Sequence, residues 1–162
     1  MPSVVVHNTN SMVVSQDRVS QLYMTIFAQE FSPCGKYLAA ANSDGDIAVH
    51  ELDSALKTRG SSKSRRPTNK YLAHEDPIFS LATTKSHLVS GSIGQIKGWR
   101  WSDIVVPQTP CVAPSWTINV PVNKAVGSRP EINSMIIEGD VIYAAAGDGN
   151  IYAWSLGTGK RD

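Results

Sequence analysis

Phe31-Ser32-Pro33-Cys34-Gly35-Lys36-Tyr37-Leu38-Ala39-Ala40, followed by Asp44-Gly45-Asp46-Ile47, reads as strand, tight turn, strand, tight turn, strand. The Ser-Pro-x-Gly run turns because proline presets φ at the second turn position and glycine tolerates the left-handed geometry that closes it. Tyr37 to Ala41 is a short apolar run, and Asp44-Gly45 suits a two-residue hairpin. Ile47 to Leu52 then predicts a third short strand. One such unit fits many β folds; its recurrence narrows the choice.

Two later stretches repeat the pattern. Ile93-Gly94-Gln95-Ile96-Lys97-Gly98-Trp99-Arg100-Trp101 and Asp148-Gly149-Asn150-Ile151-Tyr152-Ala153-Trp154-Ser155-Leu156 align with Asp44-Gly45-Asp46-Ile47-Ala48-Val49-His50-Glu51-Leu52. Each has a glycine, a polar residue and isoleucine, then alternates to an aromatic residue or histidine. Each follows a small-residue strand: Leu38 to Ala41, Leu88 to Gly91, and Tyr143 to Ala146. The three glycines sit 49 and 55 residues apart, slightly long for a repeat of about 40–45 residues. Loops hold the excess. Ser54 to Asn69 is rich in serine and basic residues, and Ser102 to Pro114 carries Pro107, Pro110 and Pro114. A fourth strand is predicted after each loop, over Asn69 to Leu72 and Ser115 to Val120. The second and third units open at Ile78 to Ala82 and Ile132 to Ile137. Four short antiparallel strands per unit, punctuated by glycine and proline, is the pattern of propeller blades.

The predicted class is therefore all-β: a β-propeller truncated to about three four-stranded blades, near residues 22–72, 73–120 and 130–162. Residues 1–21 stand apart as an N-terminal segment, weakly structured or completing a strand. Val4 to His7 reads as a strand there, and Ser15 to Leu22, running to the edge of the first blade, as one or two helical turns. The 162 residues give room for one domain of ordinary size. With 41% hydrophobic and 18% charged residues the chain is globular, not disordered. A net charge of +1 offers no global electrostatic case for nucleic acid, membrane or an acidic substrate. The apolar runs are far shorter than a bilayer span, and the first residues lack the basic flank and apolar core of a signal peptide. Cys34 and Cys111 lie far apart without a Cys-x-x-Cys partner, which predicts reduced thiols of a nuclear or cytosolic protein.

The units resemble the WD-repeat family. Ala73-His74 resembles its Gly-His position, Trp99 and Trp154 occupy its Trp position, and Ser-Pro-Cys-Gly-Lys resembles its Ser-Pro-Asp-Gly-Lys turn. The resemblance implies a hydrogen-bonded structural network of His, Ser/Thr, Asp and Trp in each blade. His74, Ser90 and Trp99 match it in the second unit, where Ile93 stands at the Asp position. Asp148 and Trp154 match in the third unit, without a His. Asp44 matches in the first, where His50 replaces the Trp. Every copy is incomplete.

Longer runs are similar to the N-terminal part of the THO complex subunit 6 family, over roughly residues 20–158. They are Leu22-Tyr23-Met24-Thr25-Ile26-Phe27-Ala28-Gln29 with Ser32 to Ala40, then Ala73-His74-Glu75-Asp76-Pro77-Ile78, Val120-Pro121 and Pro130-Glu131-Ile132-Asn133. That family is a WD-repeat propeller of the THO/transcription-export assembly. The resemblance implies a nuclear, non-catalytic scaffold for messenger RNA processing and export, with other THO complex subunits as partners. A closed ring of such blades needs on the order of 300 residues, and repeat units bury their faces only against neighbours. The expectation is a fragment, a short splice form or an incomplete gene model.

No set of residues converges on catalysis. His7, His50, His74 and His87 never pair at metal-ligand spacing, and no HExxH, Gly-x-Ser-x-Gly elbow or phosphate-cradling glycine loop occurs. Asp148-Gly149-Asn150 lacks the spaced carboxylates and terminal Glu of a calcium loop and reads as a hairpin turn. The expectation is no enzyme, no cofactor, no metal, no membrane and no small-molecule substrate. His74, Trp99 and Trp154 are assigned to blade structure.

One stretch carries binding potential. Lys57, Arg59, Lys63, Arg65, Arg66 and Lys70 fall within fourteen residues free of Asp and Glu. They read either as an RNA-phosphate contact or import signal, or as a solvated connection between strands. No aromatic residue interleaves before Tyr71, so base stacking is not supported. Three functions follow: a THO scaffold, a generic WD-repeat adaptor such as a ubiquitin-ligase substrate receptor, and a weak RNA binder through residues 57–70.

Overall fold

Ser32 builds the first turn from both its backbone and its hydroxyl. Its N–H donates to the Tyr37 carbonyl (2.9 Å), its carbonyl accepts from Gly35 N–H (2.9 Å), and its Oγ accepts from Tyr37 N–H (3.0 Å). The side chain is buried, so these bonds replace water outright. Gly35 sits at φ +69°, the left-handed conformation the turn demands. The computed structural model describes residues 24–56, 66–107, 112–125 and 127–156. The N-terminal segment 1–21 and Cys111 lie outside the described residues.

Eleven strands among the described residues form three antiparallel sheets. The first holds β1 (Ile26–Phe31), β2 (Tyr37–Asn42), β3 (Asp46–Glu51) and β4 (Asn69–Leu72), in that order. The second holds β5 (Ser80–Thr83), β6 (His87–Gly91), β7 (Gln95–Arg100) and β8 (Trp116–Asn119). The third holds β9 (Ile132–Glu138), β10 (Val141–Ala146) and β11 (Ile151–Ser155). Each sheet is a meander, and β1, β5 and β9 stand side by side as the first strands of successive blades. The fold is all-β and made of blades, as the repeat predicts.

The registers repeat as faithfully as the sequence. Leu38 pairs with His50, Leu88 with Trp99 and Ile142 with Trp154. Because strand side chains alternate, each blade presents one set of residues to the blade before it and another to the blade after it. Ala39, Ala41, Ile47, Val49 and Tyr71 of the first sheet pack against Leu81, Leu88 and Trp99 of the second. Val89, Ile96 and Ile118 pack against Ile132, Ile142 and Trp154 of the third. The two cores lie on opposite faces of the middle sheet.

Two elements differ from the sequence reading. Leu52 closes no strand; Leu52–Ala55 is a single helical turn (α1), and Trp101–Ile104 is another (α2) at the start of what read as a loop. Burial explains α2. Trp101 and Ile104, three residues apart and so on one face, both enter the first core. Trp101 Nε1–H donates to Thr83 Oγ1 (2.9 Å), and Asn69 Nδ2–H reaches back to the Ile104 carbonyl (3.2 Å). The helical turn clamps the second blade onto the first.

Candidate functional site

His74 is placed by backbone before any side chain acts. It lies between β4 and β5, where the N–H groups of Ala73 and His74 both donate to the Gly45 carbonyl (2.9 and 3.1 Å). Gly45 is at φ +82°, and a Cβ there would run into the His74 carbonyl, so only glycine fits. The imidazole points to Ser90 on β6, with 2.7 Å between His74 Nε2 and Ser90 Oγ. Trp99 on β7 donates its indole N–H to the same Oγ at 2.9 Å. With Trp99 donating, the Ser90 hydroxyl proton goes to the close His74 Nε2, since the other acceptor, the Lys97 carbonyl, is 3.5 Å away. His74, Ser90 and Trp99 are all buried.

Burial, with the nearby Lys97 charge adding, pulls the His74 pKa down to about 3, so the ring is neutral at pH 7. Lys97 covers it from a polar cleft of about 610 Å³, donating to the Ala73 carbonyl at 2.9 Å. Burial lowers the Lys97 pKa, and Glu75 counteracts this. Ser90 is 0% exposed, its hydroxyl held between His74 and Trp99, so the trio ties the blade together from within. At the Asp position of the WD pattern, Ile93 forms a β-bridge with Glu131, and Gly94 N–H donates to Pro130 (3.0 Å). This turn links the second blade to the third.

In the other two blades the matching residues go separate ways. Asp44 is exposed on its turn, which Asn42 organises by accepting the Asp44 and Asp46 N–H groups (3.0 and 2.8 Å). His50 lies on β3 opposite Leu38, its pKa lowered by burial. Asp148 accepts from the Tyr152 hydroxyl (2.7 Å), Asn150 Nδ2 (3.0 Å) and Asn123 Nδ2 (3.1 Å). Those bonds, Tyr152 first, hold its pKa down at about 2. Trp154 is buried and stacks on Tyr152 with ring centroids 5.5 Å apart. Sequence reasoning missed Asn123, which arrives from a distant loop.

Of the basic run, Lys57, Arg59, Lys63 and Arg65 lie outside the described residues. Arg66 is exposed, while Lys70 on β4 pairs with Asp46 at 2.8 Å. Sequence reasoning also missed a cleft of about 730 Å³ between the second and third blades, lined by His87, Trp116, Ile137 and Leu156. The available signal was Gly98. A glycine inside a strand marks a close neighbour, and a Cβ there would enter the Trp116 ring. Among the described residues no three His, Cys, Asp or Glu side chains gather as a metal site, and no helix is long and apolar enough to cross a membrane.

No protein-family model matches the chain. Among curated proteins it is 40% identical over 143 residues to the THO complex subunit 6 homolog of Danio rerio, covering 87% of this chain and 43% of that protein. It is 34% identical to THO complex subunit 6 of Homo sapiens, covering 87% of this chain and 41% of that one. The chain thus spans less than half the length of these relatives. Among solved structures, the Cps50 (Swd1) β-propeller domain of Myceliophteria thermophila superposes with a TM-score of 0.69 at 14% identity, covering 100% of this chain and 47% of that domain. The chain has the fold of a WD-repeat β-propeller and is similar in sequence to THO complex subunit 6.

Proposed function

We propose that this chain, a WD-repeat propeller segment similar to THO complex subunit 6, is a non-catalytic scaffold subunit of the THO/transcription-export complex. It acts in the nucleus, in messenger RNA processing and export, through contacts with other THO subunits. The observation that carries the reading is the 40% identity sustained over 87% of the chain. The chemistry of the blades supports it. The histidine, serine and tryptophan of the second blade are buried and bonded to one another, so what they supply is rigidity. Partners then meet loops and clefts held at fixed positions by the blades.

The test is mass spectrometry of proteins that co-purify with a tagged 162-residue chain from nuclear extract. Enrichment of the other THO subunits is the expected result. A ubiquitin-ligase adaptor in their place would overturn the export reading. Recovery of RNA that survives high salt would overturn it in favour of direct recognition, because binding by basic residues alone weakens steeply as salt rises.

A further inference from the structure

The second and third blades meet as the first and second do, except at one place. Leu156 stands where Trp101 does: its N–H donates to the Asp140 carbonyl (2.7 Å) as that of Trp101 donates to Ser86 (3.0 Å). By register, Trp116 opposite Gly98 matches Asn69 opposite Val49, and Ile137 opposite Ile142 matches Thr83 opposite Leu88. At the first junction the seat framed by these positions is filled. Trp101 and Ile104 of α2 enter the core, with the Trp101 indole bonded to Thr83 and the Ile104 carbonyl to Asn69. At the second junction the sequence after Leu156 is Gly157-Thr158-Gly159. Gly159, three residues on from Leu156 as Ile104 is from Trp101, has no side chain to offer. The cleft of about 730 Å³ lies at this place, and its apolar floor of Trp116, Ile137 and Leu156 continues the core of that junction. Lys85 stands on its second-blade rim and Asp140 on its third-blade rim. Both are exposed, and among the described residues neither is in an ion pair.

We propose that this cleft seats a partner protein, which supplies from outside the helical turn that α2 supplies one junction earlier. The guest is a helical turn with two bulky apolar side chains three residues apart. Such residues share one helix face, so both anchors reach the floor together. The opposite charges of the rims favour a basic residue beside Asp140 and an acidic one beside Lys85. A second copy of the chain cannot be the guest through its own α2, because Trp101 and Ile104 are buried in its first junction. The seat belongs to two blades that are both present, and it holds whichever complex the chain serves.

The test is binding of a fluorescein-labelled, helix-stapled peptide, Lys-Trp-Ser-Ser-Ile-Glu, to the ¹⁵N-labelled 162-residue chain. Saturable binding that moves the Trp116 indole resonance and leaves that of Trp101 in place is the expected result. Leu156→Trp combined with Gly159→Ile writes the missing turn into the chain itself and is expected to weaken the probe about tenfold. Lys85→Glu, on the exposed rim, is expected to weaken this probe and to spare one carrying Gln in place of its Glu. No saturable binding to the native chain overturns the proposal. So does a shift at Trp101 in place of Trp116, or a doubly substituted chain that binds as well as the native one. A Trp116 indole that a soluble spin label cannot reach in the free chain also overturns it, since the chain would then cover the cleft itself. Should the double variant fail to fold, the indole shift in the native chain and the Lys85→Glu comparison decide.

Discussion

Ser90 Oγ serves two buried partners at once, so its loss costs more than one bond. In Ser90→Ala the Trp99 indole N–H and His74 Nε2 both keep their burial and lose their partner. Each buried group left unpaired costs about 1–3 kcal/mol. The variant is therefore expected to move the urea midpoint down with little change in slope. Tyr71→Phe is the opposite case. Among the described residues the buried Tyr71 hydroxyl has no hydrogen-bond partner, and burial raises its pKa. Removing that oxygen is expected to leave the midpoint unchanged or raise it. His74 links stability to pH. Its folded pKa, about 3, lies below the ordinary 6.5, so between those values the unfolded chain binds the extra proton. Stability is expected to fall as pH drops from 6.5 toward 3, and urea titrations at pH 7 and pH 5 measure the slope. His74→Gln, which cannot titrate there, is expected to flatten the part that His74 contributes; an unchanged slope would assign it to His50 and His87. The resemblance to WD repeats groups His74, Ser90 and Trp99 in sequence, and the structure brings them within hydrogen-bond reach. Asp148 was legible as a turn residue and, by the resemblance, as a member of the blade network, but its partners were not. Its partner Asn123 comes from a loop 25 residues away, and no local pattern encodes that meeting.

At the scale of elements, the hairpin glycines look interchangeable in sequence and are not. Gly45 and Gly149 both sit at φ +82°. A Cβ at Gly149 meets open space, so Gly149→Ala bears only the left-handed penalty of about 1–2 kcal/mol. At Gly45 the Cβ also strikes the His74 carbonyl, in a turn whose own carbonyl receives the Ala73 and His74 N–H groups. Gly45→Ala is expected to be clearly the more destabilising of the pair in thermal melts. It is also expected to disturb the His74 ring resonances in NMR spectra, which Gly149→Ala leaves in place. Strand order and register were largely legible, because glycine turns and two-residue alternation are local signals. The helical turn α2 was not. Trp101-Ser102-Asp103-Ile104 is too short for a helical period to declare itself, and what fixes its shape is the core of the preceding blade. The inter-blade cleft at Trp116 was hidden for the same reason: it belongs to two blades, and each was read alone.

Across the whole molecule, stability should follow position in the arc, because a stack of repeats is held by nearest-neighbour interfaces. The middle sheet has a core on each side, one shared with Ala39 and Ile47, the other with Ile142 and Trp154. The third sheet has a core on one side and exposed Ile136, Tyr143 and Ile151 on the other. Its backbone bonds therefore open at lower free energy than those of β6 and β7. Amide exchange across β9, β10 and β11 is expected to outrun exchange across β5, β6 and β7. Hydrogen-exchange mass spectrometry on the native chain checks this order. Equal protection of the middle and third sheets would mean that the three blades open as one unit. The extra side chains on Ile136, Tyr143 and Ile151 would then add nothing to how the arc is held.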